Sequence, residues 1–139
     1  NKKKLTVLIR RLLYWGAGLS LPFSLVYFFG GGVILRLMTD QADLIGLAKP
    51  YYIWPALIPV LAFTAFIWDG VFIGATASKT MRNTLLVSTL FVFLPVYYLT
   101  SPILQNHGLW LSLSLFMLSR GVLLSLNYKK RILKRQLGQ

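Results

Sequence analysis

Two ionisable side chains lie within the long apolar stretches of this 139-residue sequence, and they are the first candidates for chemistry. Asp69 directly follows the uncharged run 51–68, and Arg120 directly follows the uncharged run 109–119. An ionisable group at the centre of a membrane helix costs roughly 2.5–3.5 kcal/mol on insertion scales, so each of them calls for a reason. A carboxylate at such a place can hold a proton or a sodium ion, and a guanidinium can pair with it.

Asp69 and Arg120 are expected at the same depth in a membrane. Asp69 precedes the basic residue Lys79 by ten positions, and Arg120 precedes Lys129 by nine. At 1.5 Å per helical residue, both lie roughly 14 Å from these markers, so a salt bridge between them is geometrically possible. Three interpretations stay open. Either the pair is structural, or Arg120 extends to the headgroups; alternatively, Asp69 binds a coupling ion that Arg120 replaces when the site is empty.

Other residues with catalytic potential are few, and no enzyme is predicted. The sequence has no cysteine, no glutamate and a single histidine, His107, which we expect to be solvated in an outer loop. No His, Cys or carboxylate cluster has the spacing of metal ligands. Gly30–Gly32 lacks the strand and lysine of a phosphate-binding loop. We therefore expect no metal and no cofactor other than H⁺ or Na⁺ as a coupling ion.

The elements that position Asp69 and Arg120 are membrane helices. The chain is 56% apolar and 13% charged, with a mean hydropathy of +0.65, whereas soluble domains are about 25% charged. Four apolar spans approach the 20 or so residues that cross a bilayer. The sequence predicts an all-α membrane protein with four transmembrane helices in up-down order, approximately at residues 12–29, 51–74, 84–102 and 109–127.

The basic residues indicate the orientation of these helices, because cytoplasmic segments are rich in lysine and arginine. The formal net charge is +12. Twelve basic residues fall on one side of the bundle: Lys2, Lys3, Lys4, Arg10, Arg11, Lys79, Arg82, Lys129, Lys130, Arg131, Lys134 and Arg135. Both termini are therefore predicted to be cytoplasmic. Because these residues flank apolar spans, the expected partner is the lipid bilayer and not nucleic acid.

Glycines and prolines lead to further expectations. Gly30–Gly32 is predicted to end the first helix, and residues 33–47 to form an interfacial segment on the outer face. Pro55 and Pro59 predict a kink in the second helix, as a hinge or a fixed bend. Small residues near Asp69, two alanines and two glycines, lead to separate expectations. Ala62 and Ala65 suit either tight packing or a cavity wall, and Gly70 with Gly74 favours a close helix contact.

Several motifs resemble multidrug and toxic compound extrusion (MATE) transporters, and in particular their DinF-like branch. They are Leu47-Ala48-Lys49-Pro50-Tyr51-Tyr52-Ile53-Trp54, Asp69-Gly70-Val71-Phe72-Ile73-Gly74-Ala75-Thr76, Met81-Arg82-Asn83-Thr84, Gly108-Leu109-Trp110-Leu111 and Arg120-Gly121. The resemblance extends over the whole chain, but only over the final third of a family member.

This resemblance implies the last four helices of a twelve-helix transporter, with residues 1–139 forming the C-terminal part of its second lobe. Such proteins lie in the bacterial cytoplasmic membrane and exchange H⁺ or Na⁺ for small organic compounds, often cationic, by alternating access. The missing N-terminal helices would then be partners of this chain. Asp69 falls where sodium-coupled relatives place a carboxylate of the cation site.

Two other functions stay open at this point. One is a lipid-linked oligosaccharide flippase of the same superfamily, whose cavity is expected to carry more basic residues. The other is an autonomous four-helix membrane scaffold or regulator, which would form a defined oligomer when expressed alone.

Overall fold

The computed structural model describes residues 2–128 and 130, and every regular element within them is a helix. The elements are α1 (Lys2–Met38), α2 (Ala42–Ala48), a 3₁₀ turn (Lys49–Tyr51), α3 (Ile53–Gly74), α4 (Ser78–Ser88), a π-helical turn (Thr89–Phe93), α5 (Leu94–Leu104) and α6 (Asn106–Tyr128). The all-helical class predicted from the sequence is confirmed.

Four helices in the described part of the chain are long and apolar enough to cross a membrane. They are Lys3–Met38, Ile53–Gly74, Ser78–Leu104 and Asn106–Tyr128. The third consists of α4, the π-helical turn and α5 in one continuous run. The prediction of four candidate membrane-spanning helices is confirmed, although the first, third and fourth are longer than predicted and the second begins two residues later.

The helices alternate in direction, and α3 lies at the centre of the packing. It contacts α1 on one side and α6 on the other, while α4 and α5 pack against α6. The start of α1 meets the end of α6, where the hydroxyl oxygens of Thr6 and Tyr128 are 3.2 Å apart. We call this side of the bundle, with the start of α1, the turn between α3 and α4 and the end of α6, the basic end.

The most deeply buried apolar cluster lies at the basic end and joins three helices. It contains Ile9 of α1, Trp68 and Phe72 of α3, and Leu124 and Tyr128 of α6. The rings of Trp68 and Tyr128 are 5.1 Å apart. Many other large apolar side chains are exposed on the outside of the bundle. That distribution is typical of helices whose surroundings are hydrocarbon and not water.

The first helix does not end at Gly30–Gly32, as the sequence predicted, but continues to Met38. Residues 33–38 therefore belong to α1, and of the expected interfacial segment 33–47 only a short helix, α2, stands apart. One reason is a specific contact: Gly31 is buried directly against the ring of Tyr52, where no side chain fits. Apolar residues after the glycines have better helix propensity and continue the helix.

The third membrane helix contains a π-helical turn at Thr89–Phe93, which the sequence analysis did not predict. Pro95 follows in the first turn of α5 and has no backbone N–H to donate. The amide of Leu94 donates to the carbonyl of Thr89, five residues earlier. A wider turn of this kind accommodates the proline without breaking the helix, and such turns are frequent at functional positions.

Glycines mark the close helix contacts, but they are not the glycines that the sequence indicated. In the part of the chain that the structure describes, no atom lies within 4 Å of a methyl group added at Gly70 or Gly74, so the predicted close contact at this pair is wrong. They line an apolar groove of about 530 Å³ between α1 and α3. The close contacts are instead at Gly16, Gly31, Gly108 and Gly121.

Gly121→Ala is expected to lower the free energy of unfolding by about 1–3 kcal/mol, because overpacking shifts neighbouring atoms. The added methyl group would lie 2.6 Å from Oγ1 of Thr64 and 3.2 Å from the backbone nitrogen of Ala65. The measurement is unfolding of the whole protein in detergent. Gly18→Ala is the matched control, since no atom lies within 4 Å of that methyl group. Equal stability of the two variants would contradict the close contact.

Candidate functional site

Asp69 and Arg120 lie on neighbouring helices, and the structure brings their side chains into contact. Asp69 is in the basic-end half of α3, and Arg120 is in the same half of α6. Nη2 of Arg120 donates a hydrogen bond to Oδ1 of Asp69 at 2.8 Å. Because α3 and α6 run in the same direction, equal distances from the basic end place the two side chains at one level.

The ion pair is only partly enclosed, and it leaves hydrogen-bonding groups unused. The side chains of Asp69 and Arg120 are 17% and 16% exposed. Nε of Arg120 is buried without a partner among the described residues. Within that part of the chain, Oδ1 of Asp69 is the carboxylate oxygen that accepts the guanidinium. Oδ2 of Asp69 and the Nε–H of Arg120 thus have no hydrogen-bond partner within the described residues.

The small residues around the pair form a close helix contact. Gly121, next to Arg120, packs against Thr64 and Ala65 of α3. Ala62 is 0% exposed and Ala65 is 1% exposed. Both alanines are thus buried, and the backbone of Ala65 contacts Gly121, while a role of Ala62 and Ala65 in a cavity wall stays a prediction. The contact fixes the distance between α3 and α6 beside the ion pair.

Pro55 and Pro59 lie in α3 on the side away from the basic end. Pro55 is in the first turn of the helix, where a missing N–H removes no helical hydrogen bond. It lines an open cleft of about 610 Å³ with Tyr51 and Tyr52. Pro59 is inside the helix. A hinge at these prolines stays a prediction.

His107 is packed among aromatic residues and is not the solvated loop residue that the sequence indicated. It is the second residue of α6 and is half-buried. The indole N–H of Trp54 donates to its Nδ1 at 2.9 Å, and its ring lies 4.6 Å from that of Tyr51. These residues join the starts of α3 and α6. Trp54 is the second residue of α3, and His107 is the second residue of α6. Because the two helices are parallel, these equal positions were the signal in the sequence that the two side chains could meet.

Two further expectations concern ions and charges. In the described part of the chain, no three His, Cys, Asp or Glu side chains lie close enough together to hold a metal ion. Binding of H⁺ or Na⁺ at Asp69 stays a prediction. Of the basic residues expected after the last helix, Lys129, Arg131, Lys134 and Arg135 lie outside the described residues, whereas Lys130 is exposed.

Four helices that are long and apolar enough to cross a membrane, two of them joined by an ion pair, indicate a multi-pass membrane protein. The MatE family model matches residues 1–99, and the chain belongs to this family. The resemblance noted in the sequence is confirmed. The matched region includes Asp69 and ends before Arg120.

A curated relative gives the scale of the match. The chain is 38% identical over 111 residues to DNA damage-inducible protein F of Escherichia coli (strain K12). The alignment covers 80% of this chain and 24% of the relative, so the chain spans about a quarter of the length of that protein. No solved structure gives a significant match.

The ion pair is expected to make the effects of Asp69→Asn and Arg120→Gln on stability non-additive. A coupling energy of about 0.5–3 kcal/mol is typical of residues in direct contact, because either substitution alone removes the same interaction. Unfolding of the two single variants and the double variant in detergent measures it. Asp43→Asn with Arg36→Gln, two exposed residues on the opposite side, is the control cycle and should be additive. Additive losses for the pair would mean that the side chains do not interact in solution.

Proposed function

We propose that this chain supplies the last four helices of a twelve-helix secondary active exporter in the bacterial cytoplasmic membrane. The exporter exchanges H⁺ or Na⁺ for small organic compounds, often cationic, by alternating access. Membership of the MatE family and the similarity to one quarter of a longer relative support this proposal. In it, the basic end faces the cytoplasm, and the remaining helices are supplied by the part of the transporter that precedes this chain.

The observation that carries the proposal is the ion pair between Asp69 and Arg120. Two separate charges in the membrane cost about 5–7 kcal/mol on insertion scales. Their attraction at about 4 Å is about 4 kcal/mol at an effective dielectric constant of 20. The pair thus offsets most of this cost but not all of it, and two apolar side chains would give a more stable bundle. Such a pair is better explained by a function than by stability alone.

Arg120 acts in this proposal as an internal cation that competes with the coupling ion. When the site is empty, the guanidinium balances the charge of Asp69. A proton on the carboxylate, or a sodium ion at its second oxygen, neutralises the same charge and weakens the contact at 2.8 Å. Because both side chains are partly exposed, an ion can reach the carboxylate without separation of the helices.

Ion binding at Asp69 is expected to change how α6 packs on α3. Gly121 follows Arg120 directly and contacts Thr64 and Ala65. Loss of the ion pair is therefore expected to loosen the close contact between α3 and α6 beside it. Alternating access requires an element with two stable arrangements, and two positions of α6 relative to α3 would provide one. Neither comparison favours the oligosaccharide flippase or the autonomous scaffold, and a transporter is proposed in preference to an enzyme.

Asp69→Asn in the whole transporter is expected to reduce ion-driven efflux at least tenfold, because the amide can neither bind a proton nor neutralise a cation. Insertion into the membrane should be unchanged, since the substitution removes a charge from an apolar helix. The measurement is accumulation of a fluorescent organic cation in vesicles under an imposed H⁺ or Na⁺ gradient.

Asp43→Asn is the control, because Asp43 is exposed in α2 and distant from the ion pair. Comparison of the two gradients identifies the coupling ion. Normal efflux by Asp69→Asn at normal protein levels would give Asp69 a packing role only.

A further inference from the structure

A small polar cleft lies between α4 and α6 at the basic end, separate from the Asp69–Arg120 pair. We call it the α4–α6 cleft, and it is lined by Thr80, Asn83, Thr84, Val87, Leu123 and Asn127. Its volume is about 170 Å³, whereas a drug-sized ligand needs roughly 300–1,000 Å³. The cleft therefore suits a small polar group and not a transported compound.

The polar side chains of the α4–α6 cleft keep hydrogen-bonding capacity for a ligand. Thr84 donates to the carbonyl of Met81, and one amide N–H of Asn127 donates to the carbonyl of Leu123. The second amide N–H of Asn127 is not used by this bond. Among the described residues, no hydrogen bond occupies the side chains of Thr80 and Asn83. Two amides and a hydroxyl can thus donate to one group in the cleft.

The charges around the cleft are positive. Lys79 lies one helical turn before Asn83, where side chains on a helix are neighbours. Lys130 is exposed just beyond the end of α6. No acidic residue lies in the first turn of α4. A negatively charged group is therefore favoured in the cleft over a neutral or positive one.

The cleft is expected near the depth of lipid headgroups, because the apolar span predicted for this helix begins only at residue 84. Thr80 is about 3 Å and Val87 about 14 Å from the first residue of α4, at 1.5 Å per residue. The polar layer of a bilayer is about 5–7 Å thick on each side of the hydrocarbon. Thr80 therefore falls in the polar layer, and Asn83, about 7–8 Å from the first residue of α4, lies at the border between the polar layer and the hydrocarbon.

We propose that the α4–α6 cleft binds the phosphate group of an anionic phospholipid. The amides of Asn83 and Asn127 and the hydroxyl of Thr80 donate to the phosphate oxygens, and Lys79 supplies the positive charge. A bound lipid would hold α4 against the end of α6 at the basic end.

The test uses the whole protein, purified in detergent with equimolar phosphatidylglycerol and phosphatidylcholine, and native mass spectrometry of the retained lipid. The unmodified protein should retain phosphatidylglycerol in preference to phosphatidylcholine. The double variant Asn83→Leu, Asn127→Leu should lower this preference at least fivefold, because it removes the donors but leaves every lysine. Asn106→Leu, at an exposed asparagine of the opposite side, should change it less than twofold.

Three results would overturn the proposal. One is an unchanged preference in the double variant together with a loss in Lys79→Gln, which would mean attraction of lipid by surface charge alone. Another is equal retention of the two lipids by the unmodified protein. The third is displacement of the lipid by inorganic phosphate at equal concentration, which would mean a site for a soluble anion. None of these measurements depends on transport or on Asp69.

Discussion

The low dielectric of the membrane interior is the constraint that organises this molecule, because a polar group there must find its partner within the protein. Asp69 and Arg120 meet this constraint by pairing at 2.8 Å, and the pair joins the two helices that form the centre of the bundle. The close contact of Gly121 with Thr64 and Ala65 lies directly beside it. Charge balance and helix packing are therefore coupled at one level of the bundle.

Packing in hydrocarbon depends on shape, since lipid tails solvate apolar side chains as well as the protein does. In soluble proteins, burial of large apolar side chains holds the elements together. Here the helices are held together by close approach of their backbones at four glycines: Gly16, Gly31, Gly108 and Gly121. Aromatic residues at the two ends complete the bundle: Trp68 with Tyr128 at the basic end, and Trp54 with His107 at the other. These end contacts hold the helices at the levels where the ion pair can form.

The sequence was sufficient for the features that depend on composition and on distance along a helix. Four apolar spans were visible because hydropathy is a local property, and the family was recognisable from short motifs around Asp69. The equal depth of Asp69 and Arg120 followed from the fixed rise per residue and the positions of two lysines. Counting residues gives the depth of a side chain but not the direction in which it points from the helix axis. The sequence therefore allowed a contact between Asp69 and Arg120, and only the structure showed it.

Features that depend on a second helix were decided by tertiary structure. Gly30–Gly32 resembles a helix end in sequence, yet α1 continues through it, and the ring of Tyr52 packs on Gly31 where a side chain would not fit. Gly70 and Gly74 have the spacing of a Gly-x-x-x-Gly motif but no close neighbour within the described residues, whereas the close contact at Gly121 lies outside any Gly-x-x-x-Gly motif. His107 looked like a loop residue because its partners, Trp54 and Tyr51, are more than 50 positions away. Periodicity shows which residues share a face; only the neighbouring helix determines which face is covered.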